Sequence, residues 1–187
     1  MIWLILGLAL WVAGHSFRST APGPRAALAE RLGAGPARGV VAAAIGLGLV
    51  LMIMGYRSAP YVAVYTPPGW AIHLNNLMML IAVFVFALGH SKGKSRAWLR
   101  NPMLIAVMIW AAAHLLVNGD LASLILFGGL GAWAFVDRLM VNARNPDWTP
   151  KAPGTTAGDL RLVAISVVTF GAIAMIHAWL GYWPFPQ

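Results

Sequence analysis

The sequence predicts an all-α fold, a six-helix transmembrane bundle forming a single domain over residues 1–187. Composition is the first observation: 60% of residues are hydrophobic, 10% are charged, and mean hydropathy is +0.75. Average soluble domains carry roughly a quarter charged residues, so this chain is too apolar for water. The second observation is six apolar segments, approximately 2–16, 39–56, 71–90, 102–118, 120–136 and 160–183. A hydrocarbon core of about 30 Å takes roughly 20 helical residues, which makes the first, fourth and fifth segments short.

The placement of basic residues supports six spans and predicts their orientation. Of 13 Lys and Arg residues, 12 lie in or at the edges of the three connections that join segments one to two, three to four and five to six. They are Arg18, Arg25, Arg31, Arg38, Lys92, Lys94, Arg96, Arg100, Arg138, Arg144, Lys151 and Arg161. Only Arg57 falls on the other side, and removing one helix would scatter the charges over both sides. By the positive-inside rule we expect a bacterial inner-membrane protein with both termini in the periplasm.

The connections carry further signals. The segments 56–70 and 181–187 are rich in Tyr, Trp and Pro, as expected of an aromatic belt at the outer interface. Within 19–39, "RAALAERL" is either a short basic helix on anionic lipid headgroups or a solvated loop. The segment 142–159 is typical of a flexible cytoplasmic loop. The first segment lacks the charge order of a signal peptide and is interpreted as a retained helix.

Several classes of function are excluded by residues that are absent. The chain has no cysteine, which excludes thiolate nucleophiles, iron–sulfur clusters and Cys-ligated zinc. It has no nucleophile elbow, P-loop or dinucleotide fingerprint. The net charge of +8 marks membrane topology, so we expect no nucleic-acid partner.

Histidines are the residues that need an explanation, because a polar group without a partner in hydrocarbon costs several kcal/mol. Depth along each predicted helix follows from a rise of 1.5 Å per residue. His73 begins the third helix, His114 lies about 18 Å from Pro102, and His177 lies about 24 Å from Arg161. These three imidazoles therefore share the outer half of the bilayer on three different helices.

The neighbours of these histidines fit a binding site. Asn76 shares a helix face with His73 at spacing i,i+3. Trp110, His114 and Asn118 form a stripe at intervals of four. An ionisable group inside a membrane helix is a functional candidate by default, although a histidine that only hydrogen-bonds within the bundle is an equal alternative.

Two histidines at equal depth on different helices are what a six-coordinate haem requires, and imidazole also binds copper and zinc. We therefore predict iron ligation by two among His73, His114 and His177. An inner pair, His15 and His90, is the weaker alternative, since His90 lies at the headgroup boundary. Asp120 is expected to be the N-cap of the fifth helix, with "NGD" forming a tight turn.

The block "LRNPMLIAVMIWAAAHLLVNGDLASLILFGGLGAWAFVDR" (99–138) resembles the NnrU family of bacterial membrane proteins. Its hallmark is similar to R-H-P, an apolar stretch, W-x-x-A-H and then N-G-D. Further similar pieces are "GHSFR" (14–18), "YTPPGWAIH" (65–73) and "IHAWLGYWP" (176–184). The resemblance implies a link to denitrification and nitric oxide metabolism. It also implies a relation to zeta-carotene isomerase, a haem-b membrane enzyme.

Carried over by this resemblance, His15 matches a proposed haem ligand of the isomerase, and His114 matches the A-H motif. His73 and His177 match histidines of the family pattern. Two departures are visible: the histidine of R-H-P is Asn101 here, and the second proposed isomerase ligand falls near Gly128 and Gly129, where this chain has no histidine.

Two hypotheses follow from the sequence. The first is a haem-b-binding membrane protein of redox or isomerase type, linked to nitrogen-oxide metabolism and acting on a hydrophobic small-molecule substrate. The second is a non-catalytic assembly or regulatory factor whose histidines hold helices together. A haem site requires two essential histidines at equal depth, whereas the structural role requires no single one.

Overall fold

Helices make up nearly all regular structure in the part of the chain described by this computed structural model, residues 1–186. Seven helices are labelled here, and a 3₁₀ turn covers Lys94–Ala97. They are α1 (Ile2–Thr20), α2 (Pro22–Leu32), α3 (Ala34–Arg57), α4 (Ala71–Leu88), α5 (Pro102–Val117), α6 (Leu121–Arg144) and α7 (Thr156–Trp179). Within α6, the residues Leu124–Gly128 adopt a π-helical turn.

The predicted all-α membrane bundle is confirmed. Within residues 1–186, five helices are long and apolar enough to cross a membrane, namely α1, α3, α4, α6 and α7. The remaining predicted span is α5, which is also apolar but shorter. Its 16 residues span about 24 Å. Its ends connect to neighbouring spans at opposite ends of the bundle, so it completes the alternation that the charge pattern predicts. We call the end that carries the arginine-rich connections the basic end, and the other the aromatic end.

Helix α6 is longer than the apolar segment that predicts it. The segment was expected to end near 136, but the helix continues to Arg144 through polar residues. The Arg100 guanidinium donates hydrogen bonds to the carbonyls of Asn142 (3.1 Å) and Asn145 (2.5 Å). A cation at a helix C-terminus stabilises the last carbonyls, which explains the extra turns.

The segment "RAALAERL" forms a helix, α2, as one of the two alternatives predicted. Pro22 is its first residue, where a missing N–H costs nothing, and Gly33 ends it with φ +86°. The helix has no buried residue and lies at the basic end, against the start of α3.

Glycines allow α1 and α3 to cross with their backbones in contact. A Cβ built on Gly7 would lie 2.5 Å from the Met52 nitrogen, and one on Gly48 would lie 2.8 Å from the Trp11 nitrogen. Small residues at such crossings are typical of membrane helix pairs, because close approach gains van der Waals contact. Elsewhere in the bundle, a cluster of buried apolar side chains joins α4, α5 and α7. Its members are Val85, Leu88, Ala106 and Leu162.

The connection before α7 is ordered at its end, which corrects the interpretation of 142–159 as a flexible loop. The Gly154 and Thr155 N–H groups donate to the carbonyls of Gly93 (3.1 Å) and Lys92 (3.0 Å). Asp159 accepts hydrogen bonds from Ser95 Oγ (2.6 Å) and the Ser95 N–H (3.1 Å). Two connections of the basic end are thereby joined to each other.

Candidate functional site

His114 lies near the aromatic end of α5, and its ring is held from two sides. Its Nδ1 is 2.9 Å from the Trp110 carbonyl oxygen, one turn earlier on the helix. A carbonyl can only accept, so Nδ1 carries a proton, and in the neutral ring Nε2 keeps its lone pair. The half-buried ring stacks on Phe127 of α6, with centroids 4.5 Å apart and planes at 26°.

Two aromatic side chains contact this histidine and a third contacts one of those two, and we call Tyr56, Trp110, Phe127 and His114 the aromatic cluster. Trp110 lies 5.0 Å from both the His114 and Phe127 rings, and Tyr56 of α3 contacts Phe127 edge-on at 6.4 Å. Phe127 belongs to the π-helical turn of α6. Such turns occur frequently at functional sites. Sequence reasoning missed Phe127 because its apolar surroundings in "LILFGG" contain no signal for a π turn.

A polar chain runs beside the aromatic cluster. The Tyr56 hydroxyl is 2.8 Å from Ser123 Oγ, which is 2.5 Å from an Asp120 carboxylate oxygen. The other Asp120 oxygen accepts from the Ser123 N–H at 3.0 Å, so the prediction that Asp120 is the N-cap of α6 is confirmed. Ser123 is fully buried. This chain satisfies the hydroxyl groups that would otherwise be unpaired in hydrocarbon.

The Asn118-Gly119-Asp120 turn also anchors the connection between α3 and α4. Asn118 closes α5, because its Nδ2 donates to the His114 carbonyl at 2.8 Å. The Gly119 carbonyl accepts the N–H groups of Val64 (2.8 Å) and Tyr65 (3.1 Å). A Cβ at Gly119 would overlap the Tyr65 carbonyl oxygen, so the turn requires glycine for close approach.

The Tyr65 side chain also binds the α3–α4 connection to α5. Its hydroxyl donates to the carbonyls of Leu115 and Asn118, the latter at 3.0 Å. Burial raises the pKa of the Tyr65 phenol, and the nearby Asp120 carboxylate acts in the same direction. The phenol therefore stays protonated at neutral pH and remains a donor to both carbonyls.

Two other histidines repeat the His114 arrangement. His177 Nδ1 lies 2.8 Å from the Ile173 carbonyl, and His15 Nδ1 lies 2.9 Å from the Trp11 carbonyl. His177 is half-buried. His15 lies nearer the basic end, with its ring between Trp11 (3.7 Å) and Trp133 (5.4 Å).

His73 differs from these three. Its side chain is exposed, and no hydrogen bond to its ring occurs within residues 1–186. Asn76, which was predicted to share a helix face with His73, donates instead to the Pro184 carbonyl at 2.9 Å. This hydrogen bond holds the C-terminal tail against α4. The buried amide is that of Asn75, whose Oδ1 has no partner among the described residues. Four-residue spacing from the buried Ala71 could have identified Asn75 as the inward-facing amide.

No group of three or more His, Asp or Glu side chains is placed to hold a metal ion within the described part of the chain. Within residues 1–186 the structure therefore assembles no three-histidine centre. Ligation by a pair among the predicted residues stays a prediction.

Asn101, which replaces the histidine of the R-H-P pattern, has a structural role at the basic end. It adopts a left-handed conformation, with φ +54°, which asparagine tolerates better than most residues. Its Nδ2 donates to Asn142 Oδ1 at 2.7 Å. Together with Arg100, it fastens the start of α5 to the end of α6.

Comparison with known proteins supports one assignment. Neither the curated proteins nor the solved structures gave a match to this chain. A family model described as "NnrU protein" matches residues 3–184, which is nearly the whole chain, and it includes the aromatic cluster and the Asn118-Gly119-Asp120 turn. The protein therefore belongs to the NnrU family.

Proposed function

We propose that this NnrU-family protein binds haem b in the bacterial inner membrane and acts there as a redox or isomerase-type protein of nitrogen-oxide metabolism. The observation that carries the proposal is the hydrogen bond that each of three histidine rings makes to its own helix. In His15, His114 and His177, Nδ1 lies within hydrogen-bond distance of the carbonyl four residues earlier, so in the neutral ring the Nε2 lone pair is free to bind a metal. Metal-ligating histidines characteristically donate their other ring N–H to a carbonyl or carboxylate in this way.

His114 is the proposed principal ligand, and His177 is the proposed second ligand. Both rings belong to the aromatic end, and both are half-buried. Trp110 and Phe127 supply the flat apolar walls that a porphyrin needs beside its ligand. Bound haem would supply an iron centre for electron transfer or for chemistry on a hydrophobic substrate. The chain's own contribution is to orient the imidazoles and to exclude water from them.

The orientation proposed for the chain places the basic end in the cytoplasm and both termini in the periplasm. The support is the charge asymmetry, with 12 of 13 Lys and Arg residues in the connections of one end. The haem would then lie in the outer half of the bilayer.

Absorbance spectroscopy of the detergent-solubilised protein tests this proposal. We expect a Soret band that shifts on reduction and is lost in both His114→Ala and His177→Ala. The matched control is His90→Ala, which removes an exposed histidine at the basic end and should retain the band. Loss of the band in His73→Ala but not in His177→Ala would identify His73 of α4 as the second ligand. Absence of any Soret band after expression with added haem would refute the proposal.

The second candidate function, a non-catalytic assembly or regulatory factor, is favoured by a different observation. Asn118, Gly119 and Asp120 each have a structural contact, and each ring Nδ1 bond lies within its own helix. These contacts satisfy the polar groups without any ligand. Under this function each His→Ala variant would lower stability by a graded amount, and no single variant would abolish activity in cells.

A further inference from the structure

A cavity of about 300 Å³ lies between α2 and α3 at the basic end. Arg25 and Leu28 line it from α2, and Arg38, Val41 and Ile45 line it from α3. Neither the haem proposal nor the aromatic cluster involves these residues.

The lining of this cavity changes from cationic to apolar along α3. Arg38 lies in the first turns of the helix, whereas Ile45 is seven residues further on, a rise of about 10 Å. Since α3 enters the membrane from the basic end, the arginines lie at headgroup level and Val41 and Ile45 lie at the level of the acyl chains.

The two arginines are available to a ligand. No hydrogen bond or ion pair from Arg25 or Arg38 side chains occurs among the described residues, and no acidic residue lines the cavity. Each guanidinium presents five N–H donors, whose geometry matches phosphate oxygens. The one carboxylate of α2, Glu30, is exposed and does not line the cavity.

We propose that this cavity binds one anionic phospholipid, with its phosphate between Arg25 and Arg38 and the start of an acyl chain along Val41 and Ile45. A free anion would leave the apolar part of the cavity unused. A zwitterionic lipid would bring a positive headgroup against two cations. The combination of two arginines and an apolar wall therefore selects a lipid with net negative charge.

Native mass spectrometry of the purified full chain tests this site. The protein is exchanged into mixed micelles that contain phosphatidylglycerol and phosphatidylcholine in equal amounts, and lipid retained per protein is measured. We expect one retained phosphatidylglycerol on the wild type. The double variant Arg25→Gln/Arg38→Gln should retain it roughly tenfold or more less, because each basic residue near a membrane surface contributes about fivefold in affinity.

The matched control is Arg18→Gln/Arg31→Gln, which removes two charges from the same connection without touching the cavity. It should retain phosphatidylglycerol at the wild-type level. A third variant, Val41→Trp, fills the apolar part and keeps both arginines, so it should also lose the lipid. Circular dichroism checks that each variant keeps its helical content.

Three results would overturn the inference. Equal retention of both lipids by the wild type would show that charge does not select the occupant. Equal loss in the control double variant would assign binding to general surface charge. Displacement of the lipid by excess inorganic phosphate would identify the cavity as a site for a free anion instead.

Discussion

Replacing Gly119 by alanine should uncouple the α3–α4 connection from the turn that follows His114. A Cβ at this position overlaps the backbone carbonyl oxygen of Tyr65, and a backbone atom cannot rotate away as a flexible side chain does. The connection therefore has to move by roughly 1 Å or more to restore van der Waals contact. No rearrangement of Gly119 itself relieves the overlap, because its two neighbours are the caps of α5 and α6.

The magnitude follows from the hydrogen bonds that this movement breaks. Val64 and Tyr65 donate to the Gly119 carbonyl at 2.8 and 3.1 Å, and the Leu121 N–H donates to the Val62 carbonyl at 2.9 Å. A typical internal hydrogen bond contributes about 0.5–1.5 kcal/mol net. Loss of these three should lower the free energy of unfolding by about 1.5–4.5 kcal/mol.

Titration with sodium dodecyl sulfate in mixed micelles, followed by tryptophan fluorescence, measures this free energy. Gly69→Ala is the matched control, because Gly69 lies in the same connection and its Cβ would meet no atom within 4 Å. If the two variants differ by less than about 0.5 kcal/mol, the typical effect of a neutral surface substitution, the proposed coupling is refuted.

Two further predictions concern contacts away from that turn. Gly48→Ala should destabilise the bundle by about 1–3 kcal/mol relative to Gly46→Ala, since a Cβ at Gly48 lies 2.8 Å from the Trp11 nitrogen while one at Gly46 meets nothing within 4 Å. Both changes carry the same helix propensity, so equal unfolding free energies would show that the α1–α3 crossing is looser than described. Tyr56→Phe and Ser123→Ala should be coupled by about 0.5–1.5 kcal/mol in a double-mutant cycle, because their hydroxyl oxygens lie 2.8 Å apart. Strict additivity of the two free-energy changes would contradict this bond.

Local features of the aromatic end could be predicted from the sequence, because they involve neighbours along the chain. The N-cap role of Asp120 depends on Ser123, three residues away, and the Nδ1 bond of His114 depends on Trp110, four residues away. Contacts between helices could not be predicted. Stacking of His114 on Phe127 depends on the π-helical turn of α6, and anchoring by Tyr65 joins residues 50 positions apart.

The sequence by itself predicted a helical membrane bundle, the apolar segments that form its helices and the end at which the basic residues gather. Transfer of apolar residues into lipid and the placement of Lys and Arg are properties of each segment alone, so they need no knowledge of neighbours. Only the tertiary structure decided that α1 crosses α3 at its glycines, that Asp159 binds Ser95, and that Asn76 holds the C-terminal tail through Pro184. Lipid tails are as apolar as the helix surfaces, so hydrophobicity does not choose between partner helices. Close packing and a few interhelical hydrogen bonds make that choice, and these depend on the complete three-dimensional arrangement.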